Sequence, residues 1–324
     1  MSYPQAFYPE SPYLERVGAF VPESTMSVKE LSGSLDLTST QQRFFTRFLG
    51  LDRVAVATGL GLADMLTSAA EDALTGVDRD SVRFLVHAHT MQHVSVSEPK
   101  ILDDVRQRLG LRNASVFSLS HMNCVVGLYA LQIARFLLAG AAPEDRVLVV
   151  TGDKVLTHQA RLIPDITIQG DGAAACLVGQ DSRGDRVLGR AFTVLGRFYQ
   201  GIDCSPPLQL EYKQIYVESL SRVMTEALEN AGRDAMDISL ILPHNVNQLS
   251  WKRISELIGI PRDRVYLENV AKFGHCYSSD PFINLAVARK QGLVKSGDLV
   301  LMATAGLGAS FAATVVEIGK GRES

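Results

Sequence analysis

The segment SLSHMNCVVGLYALQIARFLLAG, Ser118 to Gly140, places Cys124 between the end of a strand-like stretch and the start of an unusually apolar helical one. The second part has helical length and predicts an α-helix over 124–139. Gln132 and Arg135 interrupt its apolar run, which is too short to cross a bilayer. We therefore expect a buried core helix with a thiol at its beginning.

Strand-like and helical patterns alternate outward from this segment, and they do so twice. Residues 67–90 and 225–247 both show a helix, an acidic turn, a buried strand and a polar end. Continuous apolar strands of this kind indicate a sheet covered on both faces by helices. Self-similarity at about half the chain length predicts two copies of one α/β unit, which we place at 1–180 and 181–324.

The composition is that of an ordinary globular protein: 324 residues, 46% hydrophobic and 21% charged, with a net charge of −3. The chain lacks the basic excess that binds a phosphate backbone, so we expect no nucleic-acid partner. No basic segment followed by an apolar one stands at the N-terminus, and the four cysteines are scattered without a CxxC pair. These features favour a cytoplasmic enzyme without membrane attachment.

Cys124 is the candidate nucleophile. Unpaired N–H groups and the helix dipole at a helix N-terminus stabilise a thiolate, which is the reactive form of cysteine. The alternative is a buried structural cysteine, and we assign Cys176 and Cys204 to that class. A nucleophile also requires a base, and two histidines could supply it. His244 ends a buried strand, and His275 lies just before a predicted helix at 281–291.

Five segments together resemble the ketoacyl-synthase III branch of the thiolase superfamily: the helix that Cys124 opens, IQGDGAAACLVG (168–179), PHNVN (243–247), FGH (273–275) and ATAGLGAS (303–310). The resemblance covers nearly the whole chain. It implies a thiolase fold, with duplicated α/β halves in a five-layer αβαβα arrangement, and a homodimer. It also implies a buried cysteine that accepts an acyl group from a thioester, without a bound cofactor or metal.

The chain departs from the condensing members of that branch at one position. In those members an asparagine follows the loop glycine and acts with a histidine, whereas here His275 follows Gly274 and only His244 keeps its place. Asp280 comes five residues later and could orient the His275 imidazole, as a Cys-His-Asp triad requires. This spacing resembles a subgroup that transfers acyl groups to alcohols or carrier thiols. Asp280 could equally be a helix N-cap before Pro281.

The sequence therefore predicts an acyltransferase. Cys124 would take an acyl group from the phosphopantetheine of an acyl carrier protein or from CoA, and His275, supported by Asp280, would activate a hydroxyl or a second carrier thiol. The resemblance also suggests polyketide or other secondary metabolism. The remaining candidate site residues are the oxyanion-binding loop with its neighbours in the pocket: Gly306, Leu307, Gly308, His244 and Asn247.

Two other functions stay open. If His275 acted as an electrophilic partner of His244, the enzyme would be a decarboxylative β-ketoacyl synthase III that uses a malonyl thioester. A non-catalytic partner subunit is the other possibility, and the retained Cys124 argues against it.

Basic residues near the tunnel mouth would help an acidic carrier protein to dock. The candidates are Lys252, Arg253 and Arg53, and aromatic side chains at 198, 199 and 212 could line the pocket. The HAHTMQH segment carries His87, His89 and His93, but no carboxylate or cysteine at close spacing completes a metal site. We expect no metal there.

Overall fold

The computed structural model describes residues 12–91, 100–157 and 159–321. In chain order the strands are β1 (Tyr13–Phe20), β2 (Thr25–Ser27), β3 (Arg53–Ala55), β4 (Val82–Ala88), β5 (Ser115–Leu119), β6 (Arg146–Asp153), β7 (Leu162–Ile163), β8 (Thr167–Ile168), β9 (Gly172–Gly179), β10 (Asp185–Val194), β11 (Ile238–Pro243), β12 (Leu299–Gly306) and β13 (Ser310–Glu317). The α-helices are α1 (Val28–Leu31), α2 (Ser39–Arg43), α3 (Leu62–Ala73), α4 (Ile101–Arg108), α5 (Val126–Leu137), α6 (Pro206–Ala231), α7 (Gln248–Ile258), α8 (Glu268–Phe273) and α9 (Asp280–Lys290). Short 3₁₀ turns span Arg79–Ser81, Asn123–Val125, Gln159–Arg161, Gly196–Phe198, Gly201–Asp203, Ala235–Asp237, Arg262–Arg264 and Tyr277–Ser279, and a π turn spans Phe44–Phe48.

The main sheet has the strand order β11-β12-β13-β10-β1-β9-β6-β4-β5, and its two ends repeat one topology. At one end β5, β4 and β6 run parallel, and β9 and β1 follow in alternating antiparallel order. At the other end β11 and β12 run parallel, and β13 and β10 follow antiparallel. A single parallel bridge between Ile241 and Val265 stands where β5 stands in the first unit. The predicted duplication of an α/β unit is therefore visible in the strand order.

The helices form three layers around the two ends of this sheet. Apolar faces of α3 and α4 pack outside β4, β6 and β9, and those of α6 and α7 pack outside β11, β12 and β13. Helices α5 and α9 lie between the two ends and share one core with strands of both. The predicted five-layer thiolase fold is confirmed.

The two halves join through β1 and β10. Only two residue pairs, Tyr13 with Arg186 and Leu14 with Asp185, connect these strands. The turn between β9 and β10 falls at 180–184, and the division into 1–180 and 181–324 stays a prediction.

No helix in the described ranges combines the length and the apolarity that a bilayer crossing requires.

The start of the central helix differs from the prediction. The α-helix α5 begins at Val126 rather than at Cys124, which lies in the preceding 3₁₀ turn. Asn123 has a left-handed backbone, with φ at 48°, and a regular α-helix cannot pass through this conformation. Cys124 thus lies in the 3₁₀ turn immediately before α5.

Candidate active site

The backbone before Cys124 is bent sharply. His121 and Asn123 both have positive φ, at 70° and 48°, which non-glycine residues rarely adopt. The Asn123 side chain donates a hydrogen bond to the Leu307 carbonyl, and the Thr304 hydroxyl donates to the Cys124 carbonyl at 3.1 Å. These long-range bonds hold the turn in place, so residues of the second half fix the position of the thiol in the first. Asn123 was not among the predicted site residues, although asparagine is among the residues that tolerate such a backbone.

Gly274 positions the histidine on the other side of the site. Its φ of 70° and ψ of −159° lie in a region that is essentially open to glycine alone. A Cβ there would also come within 2.8 Å of the Ile168 carbonyl oxygen. The His275 amide donates to that carbonyl at 3.2 Å, and the His275 carbonyl accepts from the Gly170 amide at 2.9 Å. The loop that carries His275 is therefore fixed against the end of β8.

Cys124, His275 and Asp280 form a continuous line of hydrogen bonds. The Cys124 Sγ atom lies 3.2 Å from His275 Nε2, and His275 Nδ1 donates to Asp280 Oδ2 at 2.5 Å. All three residues are buried, and Asp280 is fully so. The predicted nucleophile, base and orienting carboxylate are thus brought together across 156 residues of sequence, from positions 124 to 280.

Asp280 is held by groups that were not among the predicted site residues. It is the first residue of α9, and its carboxylate accepts from the Asn245 amide at 2.5 Å, the Asn245 side chain at 3.1 Å and the Cys276 amide at 2.8 Å. Asn284, one turn further along α9, donates to Asn245 Oδ1 at 2.9 Å. The carboxylate therefore points toward His275 rather than toward the α9 N-terminus. The only sequence signal for this network was the asparagine content of PHNVN and DPFIN.

The imidazole of His275 favours the charged form. Burial lowers the pKa of His275, but the negative charges of Cys124 and Asp280 and their hydrogen bonds outweigh it and raise this pKa from 6.5 to about 10. At neutral pH an imidazolium therefore stands between a carboxylate and the sulfur. The sulfur that would attack a thioester therefore lies within hydrogen-bond distance of a positively charged ring.

His244 has a different environment. Its Nε2 lies 2.7 Å from the Tyr216 hydroxyl, its Nδ1 lies 3.4 Å from the Ala303 carbonyl oxygen, and its ring centroid lies 6.0 Å from that of His275. Trp251 donates from Nε1 to the His244 carbonyl at 3.0 Å and fixes the backbone. Burial, followed by the charge on His275, lowers the pKa of His244 to about 3. His244 is thus a neutral imidazole, in contrast to His275.

The predicted oxyanion loop lies beside the nucleophile. A Cβ on Gly306 would come within 3.0 Å of the Cys124 backbone nitrogen, so the absence of a side chain there leaves room next to that amide. Leu307 lines the same cavity as Cys124, whereas Gly308 lines a smaller neighbouring one. The loop is close enough to contribute, and its role stays a prediction.

A cavity of about 810 Å³ leads to Cys124, His244 and His275. Asn247 lines it as expected, but its side-chain oxygen also accepts the Ser250 amide at 2.8 Å and caps α7. A second cavity of about 270 Å³ shares part of the same wall. Of the aromatic candidates, Tyr199 lines the larger cavity, Phe198 the smaller one and Tyr212 both.

The three basic docking candidates occupy different places. Arg253 lines the large cavity and is exposed, and Lys252, also exposed, is its neighbour on α7. Arg53 is not among the described residues that line either cavity. Its guanidinium donates to the Thr25 hydroxyl at 2.6 Å and to the Thr25 carbonyl at 3.0 Å across the β2–β3 pair. Its geometry therefore supports a structural role at that strand pair.

The histidines of HAHTMQH are engaged in local hydrogen bonds. His87 donates from Nε2 to the Gly152 carbonyl at 2.9 Å, and His89 donates from Nδ1 to the Met91 carbonyl at 2.7 Å. His93 lies outside the described residues. Among the described residues no group of three or more potential ligands could hold a metal ion.

The family described as 3-oxoacyl-[acyl-carrier-protein (ACP)] synthase III C terminal matches residues 228–318. A protein named beta-ketoacyl-[acyl-carrier-protein] synthase III from Nitratidesulfovibrio vulgaris is 25% identical over 322 residues, covering 92% of this chain and 95% of the relative. The chain is thus similar over nearly its whole length to ketoacyl-synthase III proteins, and the family model matches its C-terminal part.

Two solved structures show how fully this ketoacyl-synthase III-like chain shares the fold. The acyltransferase ChlB3 matches with a TM-score of 0.82 at 20% identity, over 95% of this chain and 98% of ChlB3. The priming β-ketosynthase of the R1128 polyketide biosynthetic pathway matches with a TM-score of 0.80 at 23% identity, over 99% of each chain. Both structures therefore share the fold of this chain over nearly its whole length.

Proposed function

We propose that this enzyme is an acyltransferase that takes an acyl group from a CoA or carrier-protein thioester onto Cys124 and passes it to a hydroxyl or to a second carrier thiol. One observation carries the proposal. His275 stands where condensing members of the branch place an asparagine, and its imidazole bridges the Cys124 sulfur and the Asp280 carboxylate.

In the first step the Cys124 sulfur attacks the thioester carbonyl. The C–S bond to the donor breaks, and the departing thiolate takes a proton from His275 Nε2. We assign the oxyanion to the Cys124 amide and the Gly306–Gly308 loop, because Gly306 lies beside that amide and preorganised donors are often the largest single contribution to catalysis. The products are an acyl-cysteine and a free carrier thiol.

In the second step His275, now neutral, takes the proton of the acceptor while Asp280 stabilises the imidazolium that forms. The acceptor oxygen or sulfur attacks the acyl-cysteine, and the Cys124 thiolate leaves. The three hydrogen bonds to Asp280 from Asn245 and Cys276 keep this carboxylate aimed at Nδ1 throughout. The cycle needs no bound cofactor.

Other features support the choice of substrates and partners. The cavity of about 810 Å³ suits an acyl chain on a thin pantetheine arm, and exposed Arg253 and Lys252 provide positive charge beside it. We propose an acyl carrier protein or CoA as donor, a homodimeric assembly, and a place in polyketide or related secondary metabolism. The likeness to the R1128 priming ketosynthase supports that pathway class.

A decarboxylative β-ketoacyl synthase III is the alternative. The name of the Nitratidesulfovibrio relative and the retention of His244 beside His275, with 6.0 Å between ring centroids, favour it. The two functions differ in one observable quantity. Only the synthase releases carbon dioxide from a malonyl thioester.

The deciding experiment is intact-protein mass spectrometry after incubation with a panel of acyl-CoA and acyl-carrier thioesters, including a malonyl thioester, with and without hydroxyl acceptors. We expect an acyl adduct that is absent in Cys124→Ala and retained in Cys176→Ala, a matched control because Cys176 is buried in β9. The acceptor should discharge the adduct without carbon dioxide. Discharge that requires a malonyl thioester and releases carbon dioxide would overturn the proposal.

A further inference from the structure

The hydroxyl of Tyr216 faces a nitrogen that a ketosynthase would need. Tyr212 and Tyr216 lie one turn apart on α6, and both line the large cavity. The Tyr216 hydroxyl lies 2.7 Å from His244 Nε2, within the short range of a strong hydrogen bond. This contact joins α6, which packs outside β11, β12 and β13, directly to the active site across 28 residues of sequence.

The direction of this hydrogen bond follows from the other ring nitrogen. A carbonyl oxygen can only accept, so the contact of His244 Nδ1 with the Ala303 carbonyl, at 3.4 Å, places the proton on Nδ1. His244 is neutral, so Nε2 carries a lone pair, and the Tyr216 hydroxyl donates to it. Burial also raises the pKa of Tyr216, so the phenol keeps its proton. The imidazole therefore presents no N–H to the cavity from Nε2.

Decarboxylation requires the opposite arrangement. When a malonyl thioester loses carbon dioxide, the bond between Cα and the carboxylate breaks, and its electron pair passes to the thioester carbonyl to form an enolate oxygen. That oxygen needs N–H donors in place before the bond breaks. A His244 ring with a lone pair at Nε2 repels the developing charge instead of stabilising it.

We propose that Tyr216 is a specificity-determining residue, which holds His244 in the tautomer that cannot stabilise an enolate and thereby restricts the enzyme to acyl transfer. This inference rests on the proposed function. The Nδ1 contact is long, and the Ala303 carbonyl already accepts the His244 backbone amide at 3.0 Å. A phenol hydroxyl can donate or accept, but it is the better donor, so its 2.7 Å contact favours a lone pair on Nε2 and adds to the weak preference set by the long Nδ1 contact.

The test is Tyr216→Phe, with carbon dioxide release from a malonyl thioester and acyl transfer measured side by side. We expect release to rise at least about tenfold over wild type, because one oxyanion donor is worth about 10²–10³ in rate. The gain should disappear in Tyr216→Phe/His244→Ala. Tyr212→Phe, which removes a hydroxyl from the same wall without touching His244, should show no gain.

A second measurement keeps the inference testable if the variant loses stability. Ring ¹⁵N NMR of wild type should show His244 with its proton on Nδ1, and Tyr216→Phe should shift the proton toward Nε2. A wild-type proton on Nε2 would overturn the inference. So would an unchanged release of carbon dioxide in Tyr216→Phe, or a gain that survives loss of His244.

These failures differ from failure of the proposed function. If wild type transfers acyl groups without carbon dioxide and Tyr216→Phe gains nothing, the role of Tyr216 is wrong and acyl transfer stands. If wild type already releases carbon dioxide as fast as Tyr216→Phe, both proposals are wrong.

Discussion

Replacing Asp280 with asparagine tests the charge arrangement of the site most directly. The substitution keeps the shape of the side chain but removes the negative charge beside His275 Nδ1. It also replaces one of the two Asp280 oxygens, which together accept four hydrogen bonds from His275, Asn245 and Cys276, with an NH₂ group. Burial lowers the pKa of His275, and this contribution remains in the variant. With the charge of Asp280 and its hydrogen bond removed, we expect the pKa of His275 to fall well below its wild-type value of about 10.

The sign of the pH dependence follows from the direction of that shift. Because the folded-state pKa of His275 is raised, its protonation stabilises the fold fully below pH 6.5, and this contribution is lost as the pH rises from 6.5 toward about 10. The shift corresponds to a few kcal/mol, on the order of 1.4 kcal/mol for each pKa unit. Wild type should lose stability across that window, and Asp280→Asn should lose much less.

Two assays measure these effects. Denaturant unfolding between pH 6 and 10 gives the stability slope, and NMR titration of the His275 ring gives its charge. Transfer from the acyl-enzyme should fall about 10⁴-fold in kcat, as an Asp-to-Asn change does where the carboxylate holds the imidazole tautomer. Asp185→Asn is the matched control, since Asp185 is a buried carboxylate paired with Arg289 away from the cavity. A His275 ring that stays protonated at pH 9 in Asp280→Asn would refute the reasoning.

Three further predictions concern the backbone around the site and one more buried carboxyl. Gly274→Ala should cost about 1–3 kcal/mol in unfolding free energy, because a side chain is strained at this φ, and should abolish transfer by displacing the following histidine; denaturant unfolding and acyl-enzyme discharge measure both. Asn123→Gly keeps the positive φ and loses the bond to Leu307, whereas Asn123→Ala loses both, so thermal unfolding should place the melting temperature of the alanine variant lower. Burial raises the pKa of Asp153 to about 7, so protonation of this carboxyl favours the fold and that contribution is lost between pH 4 and 7. Asp153→Asn should therefore gain stability relative to wild type across this range in denaturant unfolding, and a difference that does not vary with pH would contradict the assigned cause.

The element pattern was predictable because it is local. The strand expected at GAAACLVG has the bounds of β9, Gly172–Gly179, and the helix expected at 281–291 is α9, Asp280–Lys290. Alternation and helical periodicity depend on side chains only a few residues apart. The exception was the start of α5, where the positive φ of Asn123 is stabilised by a hydrogen bond to Leu307, 184 residues away.

The candidate chemical groups were also predictable, since Cys124, His244, His275 and Asp280 stand at the ends of predicted elements. Their roles were not. Asp280 could have been a helix cap, and three hydrogen bonds from Asn245 and Cys276 decide where its carboxylate points. The residue types determine which groups can gain or lose a proton. The direction of each hydrogen bond depends on neighbours that come together only in the folded chain.

The sequence by itself determined the duplicated α/β pattern, the candidate nucleophile and the position of a histidine directly after Gly274. Only the tertiary structure decided that two neighbouring histidines have different charges. His275 lies between two negative groups and is charged, whereas His244 is buried, contacts the Tyr216 hydroxyl and is neutral. The physical reason is that protonation depends on burial and on charges within a few ångströms. Those neighbours come from strands and helices far apart in the chain, and sequence spacing alone does not bring them together.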